Sequence, residues 1–266
     1  MKKKIIFLII VAVGLGLILK MQIDNDKKVQ KEIEKTMSEI AIFPISHASF
    51  ILASHGFSIY VDPVDEGNSF EGKSAPDIIL ITDIHGDHFD PETLSKISTA
   101  ATRIITSQAV AEKIPEELKS KVLVINNGDT INELDFKIEA IPMYNLPGPN
   151  ENYHTKGRGN GYIIEIPARA GVEKQRVYIS GDTAGIPEMR ALQNIDIAFV
   201  AMNLPYTMGI DEAVDSVLEF KPKIVYPYHY RQNPTKDFAD VARFKETINV
   251  KNPEIKVVQE DWYPKN

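Results

Sequence analysis

Six consecutive residues, Asp83-Ile84-His85-Gly86-Asp87-His88, carry four side chains able to bind a metal ion. They follow an apolar run, residues 77–82, that reads as a buried strand. They precede Asp90-Pro91-Glu92, which reads as the cap and first turn of a helix. A loop between strand and helix can turn alternate side chains toward one point, and Gly86 lets the backbone fold tightly between His85 and Asp87. Imidazole nitrogen and carboxylate oxygen are the donors of open, water-bearing zinc, manganese or iron sites. Charges at the end of so apolar a strand would be costly without a partner.

Other candidates sit where apolar runs end. Residues 41–45, 49–53 and 57–61 read as three short strands, with Ser54-His55-Gly56 a hairpin turn and His55 exposed in it. His47 lies at a strand break, and Asp62 closes the third strand, placed to orient a ligand histidine through its second ring nitrogen. Residues 91–98 and 107–113 read as helices, 103–106 and 121–125 as strands. Residues 134–141 alternate apolar and polar, as a half-buried strand does. A loop rich in Gly, Pro and Asn spans 146–160 and carries His154 and Arg158, suited to an anionic substrate group. Asp182 follows the strand 176–179 and a glycine. Asn203 and Tyr206 lie on the loop after the strand 196–201, a position that lines a pocket. His229 ends the strand beginning at 223. Helices are expected over 211–220 and 237–248, and a final edge strand over 255–258. Strands with interspersed helices, twice over, suggest an α/β fold of two βαβ-containing halves.

The 266 residues and ordinary apolar fraction of 43% provide for a sizeable core. A net charge of −7 argues against non-specific nucleic-acid binding. With no cysteine, the metal donors are restricted to His, Asp, Glu or Asn, and no thiol nucleophile is available. No Gly-X-Ser-X-Gly elbow occurs either. At the N-terminus three lysines precede an unbroken apolar run over residues 5–19, followed by Lys20. This is a signal peptide or a membrane anchor. As a helix the run would be about 22 Å long at ~1.5 Å per residue, with lysines at both ends to snorkel. The residues after it offer no clear small-X-small cleavage pattern, which favours an uncleaved anchor. Residues 21–40 read as a polar spacer and 41–266 as the domain, exported in either case.

The six-residue stretch resembles the His-X-His-X-Asp-His signature of the metallo-β-lactamase superfamily, with Asp83 in place of the first His. His47-Ala48-Ser49-Phe50-Ile51-Leu52, residues 59–63, Ser180-Gly181-Asp182-Thr183 and Tyr226-Pro227-Tyr228-His229 resemble that superfamily's branch containing ascorbate-6-phosphate lactonase, in the same order. The resemblance implies a four-layer αββα sandwich with a metal site at one edge between the sheets. It implies two divalent metal ions, zinc first, with manganese or iron as alternatives. Asp87, His88 and His229 would hold one; Asp83 and His85, with Asn145 or His154, the other; Asp182 would bridge them. A His commonly stands where Asn145 does, so the Asp83 position is oxygen-rich and either harder or weakly filled.

The expectation is a metal-dependent hydrolase that activates water, with Asp87 and His88 catalytic, His154, Arg158, Asn203 and Tyr206 toward substrate, and His47 and Asp62 behind the ligands. An ester, lactone or phosphodiester of a small or lipid-like molecule is the substrate class. The alternative is an exported metal-binding module without turnover, motivated by Asp83 and Asn145.

Overall fold

The computed structural model describes residues 25, 27–29, 39–65, 67–232 and 237–264. The expected N-terminal signal or anchor lies outside the described residues. Among the described residues no helix is long and apolar enough to cross a membrane.

Two sheets face each other. The first is ordered β1 (Ala41–Ser46), β2 (Ser49–Ser54), β3 (Phe57–Val61), β4 (Ile78–Leu80), β5 (Arg103–Thr106), β6 (Val122–Val124). Its first three strands are antiparallel hairpins and the rest join in parallel. The second sheet contains β7 (Thr130–Glu133), β8 (Phe136–Met143), β9 (Gly159–Ile166), β10 (Gln175–Ile179), β11 (Ile197–Ala201), β12 (Ile224–Tyr228) and β13 (Lys256–Val257). There β7 to β10 pair antiparallel and β10 to β13 parallel. Each sheet thus passes from hairpins to parallel strands in the same sense, the near-duplication that the sequence suggests.

The parallel strands β4 and β11 are buried along their whole length, which is why they read as unbroken apolar runs. Between the sheets lies one core, in which Phe50 stacks on Phe199 at 4.4 Å and Trp262 and Tyr228 close around them. Two more cores lie on the outer faces. Outside the first sheet, α1 (Pro91–Ile97) and α2 (Gln108–Ala111) bury Leu94 and Val110. Outside the second, α3 (Pro187–Arg190), α4 (Ile210–Phe220) and α5 (Val241–Lys251) bury Met189, Val217 and Phe244. Three cores between four layers make the αββα sandwich. α1 begins as its sequence dictates: Asp90 accepts from the Glu92 amide at 3.0 Å, and Pro91 takes the first turn.

Some elements differ from expectation. β7 is a strand that the sequence reading does not single out, and Leu134, at φ 52, sits in the hairpin rather than in β8. The last helix starts at Val241, because Phe238 bridges back to Arg231 and Asp240 caps the helix through the Arg243 amide. His55 is buried, its ring against Phe136, since a turn with φ 57 folds the imidazole back over the core. Ser107 precedes α2 without a side-chain cap; its hydroxyl instead donates to the Arg158 carbonyl at 2.6 Å.

Candidate metal centre

The ends of β1, β3, β4 and β12 and the β10–β11 connection meet at one edge of the sandwich. Three of the site residues there have left-handed backbones: His47 at φ 54, Asp62 at φ 44 and His229 at φ 50. Such conformations cost of order 1–3 kcal/mol each for residues other than glycine and persist where surrounding structure enforces them. Glycines make the close approaches. Gly181, at φ 59, brings Asp182 round the end of β10, and a Cβ at Gly159 would lie 2.2 Å from Met143 Cε and 2.5 Å from the Thr82 carbonyl.

The buried histidines are oriented from behind. His88 Nδ1 lies 2.8 Å from Asp62 Oδ2; the same carboxylate accepts from the Thr82 amide at 2.7 Å and the Thr82 hydroxyl at 2.6 Å. An acceptor at Nδ1 fixes the proton there and frees Nε2. His154 Nδ1 faces the Tyr206 carbonyl at 3.1 Å and Asn145 Oδ1 at 3.3 Å, with the same consequence. The Asn203 carboxamide stands 3.1 Å from His229 Nδ1. His85 Nδ1 is 2.8 Å from Asp83 Oδ2.

Three Nε2 atoms then converge on Asp182, those of His88 and His154 freed by acceptors at Nδ1. His154 and His88 lie 3.2 and 3.3 Å from Oδ2, and His229 lies 3.5 Å from Oδ1. The His88 and His229 Nε2 atoms are themselves 3.2 Å apart. Three sets of donors could each hold an ion: His88, Asp182 and His229; Asp83, His85 and His154; and His47, Asp87 and His229. Asp182 Oδ1 is buried without a hydrogen-bond partner. A buried carboxylate oxygen left so, among converging imidazole nitrogens, is an environment a divalent cation satisfies. The residues present therefore fit a metal centre.

The electrostatics agree. Burial opposes the charged form of His88, yet Asp182, Asp62 and Asp87 together hold its pKa well above the usual imidazole range. Burial raises Asp182 and Asp87, but the imidazoles around each outweigh it and hold both carboxyls well below the ordinary range. A field that binds a proton so strongly at Nε2 also favours a metal cation there. Burial, then the charge of His229, pulls His47 down to about 4, so this ring is neutral at pH 7.

Several residues stand in places the sequence did not disclose. His47 Nε2 is 3.3 Å from Asp87 Oδ2, its ring lies 3.8 Å from that of His229, and its Nδ1 faces the Tyr263 hydroxyl at 2.8 Å. That hydroxyl accepts from the Tyr230 and Arg231 amides, so it donates to His47. Arg158, expected at an anionic substrate group, is forked on Asp83 instead, Nε to Oδ1 at 3.1 Å and Nη2 to Oδ2 at 2.9 Å. A carboxylate as buried as Asp83 demands that counter-charge. Asn145 stands behind the His154 ring, on its Nδ1 side, and not among the Nε2 donors. Tyr206 meets His154 through its carbonyl, while its ring packs on Tyr153 at 4.7 Å. Thr82 and Tyr263 carry no motif that would have marked them.

The family profile described as Beta-lactamase superfamily domain matches residues 42–229. The chain belongs to the β-lactamase superfamily. The match opens in β1 and ends on His229, so it frames the whole donor set. A solved structure from Parabacteroides distasonis, named as a candidate metal-dependent hydrolase, is 38% identical. The alignment covers 86% of this chain and 96% of that one, with a TM-score of 0.74. The UPF0173 metal-dependent hydrolase of Pyrococcus abyssi is 28% identical over 222 residues, 78% of this chain and 91% of that protein. A metallo hydrolase from Ignicoccus hospitalis, at 19% identity and a TM-score of 0.66, shares the superfamily fold over 85% of this chain.

Proposed function

We propose that the chain is a metal-dependent hydrolase acting on an ester, lactone or phosphodiester. The observation that carries this is the convergence of the His88, His154 and His229 Nε2 atoms on Asp182, whose Oδ1 has no partner. The similarity to proteins named metal-dependent hydrolases supports it. His88, His229 and Asp182, with Asp87, would hold one ion; Asp83, His85 and His154 the other, Asp182 lying between them. His154 takes the place for which Asn145 was the other candidate, and Asn145 holds its ring. Bound divalent ions polarise a carbonyl or phosphoryl oxygen and acidify water, and zinc, manganese and iron all suit these donors.

The chain's own residues supply the rest. Asp87, with 43% of its side chain exposed, is the carboxylate that faces both the donors and solvent. It is ionised and accepts a proton from the attacking water. His47 Nε2–H holds its Oδ2, so the carboxylate turns its other oxygen, Oδ1, toward His88, 3.9 Å away. Tyr206 and Asn203 border the donors from the second sheet, the first through its carbonyl on His154 and the second through its carboxamide at His229. The basic and apolar N-terminal sequence supports an exported, membrane-tethered position, which suits a small or lipid-like substrate.

The test is hydrolysis of bis-p-nitrophenyl phosphate and p-nitrophenyl esters by the full chain with zinc, manganese or iron(II) added. Metal-dependent turnover that disappears in His229→Ala is the expected result. Metal-loaded, folded protein that turns over neither class would overturn the hydrolase reading in favour of a binding module.

A further inference from the structure

The two sides of Asp182 are electrostatically unequal. On one side stand the His88 and His229 imidazoles, Asp87 Oδ2 lies 3.4 Å from His229 Nε2, and Asp62 stands directly behind His88. Arg231 lies farther out, over the Tyr263 ring at 5.4 Å. On the other side the additional carboxylate among the described donors is Asp83, and Arg158 is forked on it.

That fork does more than cancel a charge. A carboxylate has about four lone-pair sites, two on each oxygen. Asp83 Oδ2 is the oxygen that faces His154 Nε2, at 3.8 Å. Both of its sites are taken, by Arg158 Nη2 at 2.9 Å and His85 Nδ1 at 2.8 Å. Oδ1 receives Arg158 Nε at 3.1 Å, and the Gly159 backbone packs so closely that a Cβ there would lie 3.2 Å away. The guanidinium is itself pinned: Nη2 also donates to the Tyr153 carbonyl at 2.6 Å, and the Ser107 hydroxyl holds the Arg158 carbonyl. The pair is charge-neutral, as a single imidazole is, but has almost no donor capacity left toward an ion.

We propose that the Asp83–Arg158 pair grades the centre: an ion fills the His88–Asp182–His229 side first, and the Asp83–His85–His154 side takes a second ion much more weakly. Arg158 is thus a determinant of metal occupancy. This rests on the metal reading above, but is judged by ion counts and affinities rather than by turnover.

The test is calorimetric titration of the full chain, stripped by chelator, with Mn2+ and separately with Co2+, alongside native mass spectrometry to count ions. Wild type should show one tight ion and a second bound at least about tenfold more weakly. Arg158→Gln should tighten the second ion on the order of tenfold or more, because a unit positive charge beside its donors is gone. Since that variant leaves a buried carboxylate unpaired, Asp83→His/Arg158→Gln is run beside it; it replaces the pair by one imidazole and should tighten the second ion likewise. Two equally tight ions in wild type, or loss of the second ion in Arg158→Gln, would overturn the proposal. Failure of folded wild type to bind any ion would overturn both this and the metal reading. The graded pattern without hydrolysis of any probe would uphold the grading and sink only the hydrolase.

Discussion

The two sheets bring different chemistry to the shared edge. The first contributes Asp62, Asp83 and Asp87 with His47, His85 and His88, crowded onto three strand ends and one short loop. The second contributes a single carboxylate, Asp182, and the cation Arg158, which reaches across to Asp83, with His154, His229 and two carboxamides, Asn145 and Asn203, spread over its loops. One edge is acid-rich and the other nearly neutral. Neither forms a site alone, since each set of three donors but one, that of Asp83, His85 and His154, contains His229, and every set draws on both sheets. Charge on one sheet is answered by geometry on the other. A cation at this edge therefore acts as a clasp between the sheets as well as a reagent.

The comparison is broken most sharply at the second sheet's one carboxylate. Asp182→Ala removes the group that three imidazoles share, and should lower both metal content and turnover by at least about a hundredfold, more than loss of an outer partner does. Mass spectrometry of the purified protein measures the first and the nitrophenyl probes the second. If half the metal stays, the first sheet is more self-sufficient than its geometry implies. Asp62→Asn tests that sheet's own support. With the His88 ring no longer held by a charged acceptor, metal affinity should fall about 10–100-fold, read by competition with a chelating dye.

The clasp itself is tested by removing the metal. An ion present at a hundred times its dissociation constant stabilises by about 2.7 kcal/mol, which in a domain of this size is a Tm change of roughly 5–10 °C. Thermal melts with and without chelator should show that difference, and coincident melts would mean that the two sheets hold together without the centre. The smallest effect is expected at Tyr263→Phe. It deprives His47 of a donor and two amides of their acceptor, at a cost of about 1–3 kcal/mol. Denaturant titration measures this, with turnover falling only as far as His47 ceases to hold Asp87.

The first sheet's share of this centre is legible in the sequence because it is local. Residues 83–88 fall within one loop, and the apolar strand before them marks its place. Asp182 and His229 are visible for a related reason, each ending a buried strand. What the sequence hides is pairing at a distance. Arg158 and Asp83 are 75 residues apart, and only the close stacking of β9 under the end of β4, permitted by Gly159, brings them together. The choice of His154 over Asn145 depends on which ring nitrogen faces Asp182, which spacing does not encode. His47 reads as a residue behind the ligands, whereas its left-handed turn swings it beside Asp87. Two similar α/β halves were readable from the strand and helix order and the four layers from the superfamily resemblance, while the β7 hairpin and the start of α5 were decided by tertiary contacts.

The partners of His47 have a consequence for how the protein comes into being. Its amide donates to the Trp262 carbonyl at 3.1 Å, and its ring waits for the Tyr263 hydroxyl, 216 positions later in the chain. A chain made or exported from its N-terminus presents His47 early and can finish that corner of the edge only when residue 263 arrives. The grip on Asp87 through His47 is thus complete only once residue 263 has been made, and a chain halted before it would carry most of the ligands without that support.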